Sequence, residues 1–92
     1  MDFEWDPQKN AENIAKHGVS FEKAVWAFLD GERVIFHDVK HSTKEMRFFL
    51  LGKVDGRVLT VRFAQRRNTI RIIGAGFWRR GSELYEKAHS QG

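Results

Sequence analysis

The spacing of the apolar residues predicts two short helices followed by several strands. Ala11, Ile14 and Ala15 recur three and four residues apart, as on one face of a helix. An Asp-Pro pair precedes this run and Gly18 follows it, which is typical of the two ends of a helix. Ser20 is the predicted N-cap of a second helix, whose apolar residues stop before an Asp-Gly pair.

After the second helix, the apolar residues occur in runs typical of strands. The predicted elements are a short edge strand at Phe3–Trp5, strands at Arg33–His37, Glu45–Lys53, Arg57–Gln65 and Ile70–Ala75, and a last helix at Arg79–His89. Asp55-Gly56 is a strong hairpin signal, and consecutive strands with short links pair antiparallel. We therefore predict an α+β fold, with N-terminal helices packed on an antiparallel sheet and a C-terminal helix. At 92 residues it should form a single domain over residues 1–92.

Charge is segregated along the chain. The formal net charge is +4, but residues 1–43 carry −3, residues 44–80 carry +8 and residues 81–92 carry −1. A basic block of this density is the electrostatic footprint of a site for a polyanion such as nucleic acid. The alternative is a solvated face that only keeps the protein soluble.

Composition excludes several classes of protein. There is no cysteine, hence no disulfide and no thiolate metal site. No apolar run is long enough for a membrane span, and the acidic N-terminus is unlike a signal peptide. We expect a cytoplasmic protein with no membrane partner. His37 and His41 lack a third ligand at a defined spacing, so no metal and no cofactor are expected.

Two arginines lie inside otherwise apolar strands. Arg47 and Arg71 are harder to explain by solubility than Arg66 and Arg67, which fall at a turn. An arginine in an apolar strand usually has an anionic partner. That partner is either an internal carboxylate, such as those of Glu45 and Glu86, or a phosphate.

Glycine and aromatic residues follow the last strand. Gly74-Ala75-Gly76 lacks the third glycine and the parallel βαβ unit of a dinucleotide-binding loop. Close backbone packing beside Phe77 and Trp78 is the better explanation of these glycines. The Trp78 ring is a candidate either for the core or for stacking on a base.

Motifs along nearly the whole chain resemble the BrnT toxins, a RelE-like family. The matching residues are Phe3-x-Trp5-Asp6 with Lys9 and Asn13, Lys16-His17-Gly18-Val19-Ser20-Phe21, Glu45-x-Arg47 with Gly52, Ile70-Arg71-Ile72-Ile73 and Tyr85-Glu86. The Lys-His-Gly-Val-Ser-Phe and Ile-Arg-Ile-Ile stretches are the most specific of these. The order of the motifs is also that of the family.

The resemblance implies a RelE-like fold, a ribonuclease activity that arrests translation, and a tight complex with a DNA-binding antitoxin of the BrnA type. In that case, operator DNA is bound only through the antitoxin complex. The chain departs from the family's pattern at Gly74, Gly76 and Ala64, where many relatives carry Ser, Arg and Thr. Loss of an arginine at position 76 removes one candidate phosphate contact, which Arg79 and Arg80 could replace from the next turn.

We hypothesise that the 2′-hydroxyl of the RNA attacks the adjacent phosphate and cleaves the RNA without a metal. The cleavage requires a base, an acid and cations around the charged phosphorane. The candidate residues are Arg47, Arg66 and Arg71 for the cationic cradle, His17 and Tyr85 for proton transfer, and Lys16, Arg62, Arg79 and Arg80 for the flanking RNA backbone. His17 has an alternative role as the end of the first helix.

A second hypothesis is a binding module without catalysis. In this case, the chain is a degenerate toxin or a structural subunit of a repressor complex, and its basic face receives an acidic segment of the antitoxin. Both hypotheses include the antitoxin, and they differ on whether the free protein cuts RNA. Direct binding of the operator by this chain alone is less favoured, because the sequence has no helix-turn-helix with a basic recognition helix.

Overall fold

A computed structural model describes residues 1–90 of the chain. In chain order the elements are β1 (Asp2–Glu4), α1 (Pro7–His17), α2 (Phe21–Ala27), β2 (Val34–His37), a 3₁₀ turn (Val39–His41), β3 (Arg47–Val54), β4 (Arg57–Arg66), β5 (Thr69–Gly76) and α3 (Arg79–His89). The strands form one sheet in the order β1-β5-β4-β3-β2. This confirms the predicted α+β fold with a C-terminal helix.

The sheet is antiparallel, as predicted, except at one edge. β2, β3, β4 and β5 pair antiparallel with their neighbours, whereas β1 pairs parallel with β5. Parallel neighbours need a long connection, and residues 5–68 lie between these two strands. Because that pairing is remote in sequence, the spacing of apolar residues gave no signal for it.

The predicted helix and hairpin signals are confirmed. The Asp6 side chain accepts a hydrogen bond from the Gln8 N–H at 2.9 Å, and Gly18 ends α1 in the left-handed conformation with φ 69°. In the hairpin between β3 and β4, Asp55 (φ 55°) and Gly56 (φ 77°) both have positive φ, which is the requirement of a type I′ turn.

The buried face of α1 differs from the prediction. Ala11, Ile14 and Ala15 are exposed to solvent, and the buried residue of this helix is Asn13. Its side-chain amide donates hydrogen bonds to the carbonyl oxygens of Val19 and Ala75 and accepts one from the Ala75 N–H. A polar anchor therefore holds α1 on β5, and apolar periodicity could not identify it.

The main core lies between α2 and one face of the sheet. Its largest fully buried side chains include Phe21, Leu50, Leu59 and Ile72. Gly52 of β3 allows α2 to lie close to the sheet, because a Cβ at this position would overlap the Ala27 carbonyl group. α2 ends earlier than predicted.

α3 covers only part of the opposite face. Its Tyr85 packs with Leu51 and Val58 near the β3–β4 hairpin, and Gly81 lies directly over Thr60. The remainder of that face is not covered by a helix of residues 1–90. No helix in this part of the chain is long and apolar enough to cross a membrane.

Candidate nucleic-acid interface

Four arginines share the sheet face that α3 leaves partly uncovered. They are Arg47, Arg62, Arg66 and Arg71. Strand register explains their position, since Arg47 and Arg71 pair with Ala64 from its two sides, and directly paired residues point to the same face. We call this uncovered part of the sheet, with its four arginines, the open face.

Two glutamates join three of these arginines into a chain of alternating charge. Glu45 lies 3.4 Å from Arg47 and 2.9 Å from Arg66. Glu4 lies 3.5 Å from Arg66 and 3.1 Å from Arg71. The hydrogen bond from Arg66 keeps the pKa of Glu45 below its usual value, although partial burial opposes this effect.

The two arginines inside strands therefore have carboxylate partners, one of the two alternatives left open by the sequence. Glu45 was a predicted partner, and it pairs with Arg47. Glu4 was not predicted, because it reaches Arg71 only through the parallel pairing of β1 with β5. The Arg47 Nε is buried without a hydrogen-bond partner in residues 1–90, so one donor of this cluster is unsatisfied.

Arg62 is the member of the set without a carboxylate partner in the part of the chain that the structure describes. Its guanidinium lies 5.9 Å from the centre of the Phe49 ring, at the outer limit of a cation–π contact. Arg79 and Arg80 begin α3 and are exposed. Like Arg62, they form no ion pair within residues 1–90, which leaves all three guanidinium groups available to an anionic ligand.

A groove of about 660 Å³ runs between the start of α3 and β2. Aromatic and aliphatic side chains form most of its surface, with cationic side chains at its rim. Its lining includes Phe36, Val39, Phe49, Leu51, Trp78 and Leu84, with Lys40, Arg62 and Arg80 at the rim. We refer to this cavity as the groove.

Gly76 explains why Trp78 lies at the groove. A Cβ at Gly76 would overlap the indole ring of Trp78, so the ring lies against the bare backbone of β5. This confirms close backbone packing as a reason for that glycine. Trp78 is part of the groove lining and 37% exposed; it is therefore not a core residue.

The two predicted proton-transfer residues have different neighbours. The His17 and Trp78 rings meet edge to face with centroids 5.1 Å apart, so the end of α1 contacts a residue of the groove lining. Lys16, one residue earlier, is exposed. Tyr85 lies on the buried side of α3, where its hydroxyl donates a hydrogen bond to Asp30 at 2.7 Å. Tyr85 contacts Leu51 of β3. Arg47, a candidate residue of the cationic cradle, lies about 13 Å from Leu51 along the same strand.

Burial and the nearby Asp30 carboxylate raise the pKa of Tyr85 to about 12. Desolvation acts against ionisation of Asp30, but hydrogen bonds from the backbone of Lys53, from the Tyr85 hydroxyl and from the backbone of Glu32 outweigh it. The pKa of Asp30 is therefore lowered. This arrangement joins the end of α2 to α3 and occupies the Tyr85 hydroxyl.

The histidines at the edge of the sheet have partners of their own. His41 Nδ1 lies 2.9 Å from the buried Asp38 carboxylate, and His37 Nε2 lies 3.2 Å from the Ser42 hydroxyl. Within residues 1–90, there is no group of three or more side chains arranged to hold a metal ion.

Of the aromatic side chains of the groove, Trp78 was a candidate from the sequence, whereas Phe36 and Phe49 were not predicted. Phe36 and Phe49 are directly paired across β2 and β3 and point to the open face. Strand alternation could place Phe49 on the face of Arg47, but only the sheet order shows that Phe36 lies beside it. Because the strands carry apolar residues on both faces of the sheet, their alternation does not show which face a helix covers.

Comparison with protein families identifies the chain. The family described as "Ribonuclease toxin, BrnT, of type II toxin-antitoxin system" matches residues 5–81. The chain belongs to the BrnT family. A search of curated proteins finds no match. Membership in BrnT makes the chain a ribonuclease toxin of a type II toxin–antitoxin system, with an antitoxin protein as its partner, and it confirms the resemblance drawn from the motifs.

Proposed function

We propose that this BrnT chain is an endoribonuclease that cleaves RNA on the open face, without a metal, and thereby inhibits translation in the cytoplasm. The observation that carries the proposal is the row of arginines on one sheet face, beside exposed cations at the start of α3. Phosphate contacts supply most of the affinity of proteins for RNA chains. Arginine suits them because its planar guanidinium can hold two phosphate oxygens at once.

In the proposed reaction, the 2′-hydroxyl oxygen of the RNA attacks the adjacent phosphorus, and the bond from phosphorus to the 5′ oxygen breaks. One proton leaves the 2′-hydroxyl and one reaches the departing 5′ oxygen. The products are a 2′,3′-cyclic phosphate end and a 5′-hydroxyl end. Arg47, Arg66 and Arg71 stabilise the charged phosphorane, and their glutamate partners hold them in position before RNA binds.

The exposed cations bind the RNA on either side of the cleaved bond. Arg62, Arg79 and Arg80 contact the backbone because no carboxylate of residues 1–90 competes for them, and Lys16 extends the contact at the end of α1. His17 is the proton-transfer candidate, since it lies beside Trp78 at the groove. Tyr85 is assigned a structural role, because its hydroxyl is bonded to Asp30.

The proposed partner is a BrnA-type, DNA-binding antitoxin. Operator DNA would be bound through that complex and not by this chain alone. The family match supports an antitoxin partner in general, and the type of antitoxin comes from the resemblance of the sequence motifs. We propose that the whole of residues 1–92 forms the toxin domain.

Expression of the chain in bacteria tests this function. We expect induction to stop growth and translation within minutes, with RNA fragments that carry 2′,3′-cyclic phosphate ends, and co-expression of the antitoxin to restore growth. Purified protein should cut RNA equally well with and without EDTA. Arg71→Ala should reduce cleavage by about 10²-fold or more, as loss of a group that stabilises the transition state does.

Arg33→Ala is the matched control, because it removes an exposed arginine that lies outside the open face. It should cut RNA like the wild type. If folded Arg71→Ala is as active as the wild type, the cationic cradle is wrongly assigned. Intact RNA and normal growth at confirmed soluble expression of the wild type would support the second candidate, a binding module without catalysis.

One observation favours that second candidate. The Trp78 ring covers Gly76, where many relatives carry an arginine, and so fills space that another side chain would use. If a guanidinium at position 76 is essential and Arg79 and Arg80 do not replace it, the open face serves only for binding.

A further inference from the structure

We infer that the groove receives an acidic, amphipathic segment of the antitoxin, whose apolar side chains contact Phe36, Val39 and Trp78 and whose carboxylates pair with Arg62 and Arg80. The inference rests on the proposed function for its partner. It adds the place at which that partner binds and the chemistry of the bound segment. It also gives a mechanism of neutralisation, since the same segment would cover two cations proposed to hold RNA.

The size and lining of the groove support an apolar ligand surface. Its volume of about 660 Å³ lies within the range of roughly 300–1,000 Å³ found for sites that bury much of a ligand. Val39 is 73% exposed and Phe36 is 38% exposed, so a large part of this apolar surface faces solvent. Exposed apolar surface rimmed by polar groups is typical of interaction sites.

The charge of the rim selects an acidic partner. Lys40, Arg62 and Arg80 contribute three cations. Asp38 is the acidic residue of the lining, but its carboxylate is buried and bonded to His41. The rim is therefore positive, and a segment that combines carboxylates with apolar side chains matches both features of the site.

Single-stranded RNA also binds to aromatic rings beside cations, but the floor of the groove favours a protein segment. Phe49 and Leu51 offer no hydrogen bonds from their side chains to a base edge. The Thr60 hydroxyl is buried under Gly81, so a ligand does not reach it. A buried base edge would lose its hydrogen bonds to water without replacement, whereas an aliphatic side chain would lose none.

Two aspartate substitutions of equally exposed residues test the site. Val39→Asp places a negative charge in the groove, and Leu29→Asp places the same charge at an apolar residue outside its lining, where the native side chain is 78% exposed. Binding of the purified antitoxin is measured by calorimetry, and RNA cleavage by each free toxin is measured separately. We expect Val39→Asp to weaken antitoxin binding at least tenfold and Leu29→Asp to change it less than twofold.

The remaining readouts separate the possible outcomes. Free Val39→Asp should still cut RNA, and cells that express it should no longer be rescued by the antitoxin. Unchanged antitoxin binding by folded Val39→Asp would overturn the inference, and loss of RNA cleavage with unchanged antitoxin binding would show that the groove binds RNA instead. If the wild type cuts RNA and binds the antitoxin but both variants bind it equally, only this inference fails. If the wild type binds no antitoxin, the proposed partner fails as well.

Discussion

Asn13 anchors α1 on the sheet through buried hydrogen bonds. Its Nδ2 donates to the Val19 carbonyl at 2.9 Å and to the Ala75 carbonyl at 2.8 Å, and its Oδ1 lies 3.2 Å from the Ala75 nitrogen. The residue is 8% exposed. Removing one partner of a buried hydrogen bond lowers the free energy of unfolding by more than the bond itself contributes, because the other partner stays buried with neither protein nor water to bond to.

We therefore expect Asn13→Ala to lower the free energy of unfolding by roughly 2–4 kcal/mol, since it leaves several buried backbone groups unsatisfied. Urea denaturation followed by circular dichroism measures this change. Asn68→Ala, at an exposed turn, is the control and should change stability by less than about 0.5 kcal/mol. Equal stability of the two variants would mean that α1 does not depend on this anchor.

Among the contacts between elements, α3 comes close to the sheet at Gly81, which lies against Thr60. A Cβ at Gly81 would overlap the Thr60 hydroxyl and approach Leu51 Cδ2 at 3.3 Å. That hydroxyl has no hydrogen-bond partner within residues 1–90. Replacing Thr60 with alanine would therefore break no hydrogen bond of the described chain. The pair therefore allows a test of packing with little change in hydrogen bonding.

We expect Gly81→Ala alone to destabilise the protein by about 1–3 kcal/mol through overpacking. In the Thr60→Ala background, the same substitution should become neutral or stabilising, because space is now available and alanine favours a helix over glycine by up to about 1 kcal/mol. A double-mutant cycle by thermal or urea denaturation measures the coupling. Additive effects in the cycle would contradict the contact.

A second contact between elements joins α3 to the end of α2. The Tyr85 hydroxyl donates to Asp30, and the lowered pKa of Asp30 reflects this bond together with two backbone donors. A carboxylate with a lowered pKa contributes stability above its unfolded pKa, near 3.9, and loses it as pH falls through the folded value. The raised pKa of Tyr85 contributes stability below pH 10, which is lost as pH rises towards about 12.

We therefore expect Tyr85→Phe to reduce stability by about 1.5–3 kcal/mol at pH 7, the range for a hydrogen bond to a charged group, and to flatten the decline of stability on both the acid and the alkaline side. Denaturation across pH 2.5–11 measures this profile. RNA cleavage by the folded variant should remain near that of the wild type. A large loss of cleavage would instead support Tyr85 as a proton-transfer group.

At the scale of the molecule, the basic block of the sequence becomes two different surfaces. Part of its charge is neutralised by Glu4 and Glu45, which ion-pair with three arginines of the open face. The other part, which includes Arg62 and Arg80, lines the groove without a carboxylate partner in residues 1–90. The net charge of residues 44–80 therefore overstates the positive charge that an RNA backbone would meet on this surface.

We expect Arg62→Ala to weaken RNA binding and to reduce the slope of log K against log[salt] by about 0.7, the value for one phosphate contact on a single strand. Binding of a labelled single-stranded RNA over 50–300 mM salt gives this slope, with a non-cleavable 2′-deoxy analogue to prevent turnover. Arg33→Ala, which removes a charge outside the open face, should leave the slope unchanged. If both variants behave alike, net charge alone determines binding.

Local features of the sequence were sufficient to predict most of the elements, their caps and the class of protein. These features depend on local chemistry. The Asp6 side chain caps the start of α1, and the left-handed backbone of Gly18 ends it. Asp55-Gly56 forms its turn because both residues accept a positive φ. Alternation along strands also placed Arg47 and Arg71 within apolar runs, which predicted an anionic partner for each but left open whether it is a carboxylate or a phosphate. The family followed from motifs in the order in which they occur along the chain.

Three-dimensional packing determines which face is open, which arginines are neutralised and which residues surround the groove. Glu4 reaches Arg71 through a parallel pairing of strands far apart in sequence, Asn13 meets Ala75 across 62 positions, and Trp78 turns back over Gly76. Such contacts depend on the order of strands in the sheet and on where α3 packs. Apolar periodicity measures burial along one element and carries no information on the identity of its neighbour in space.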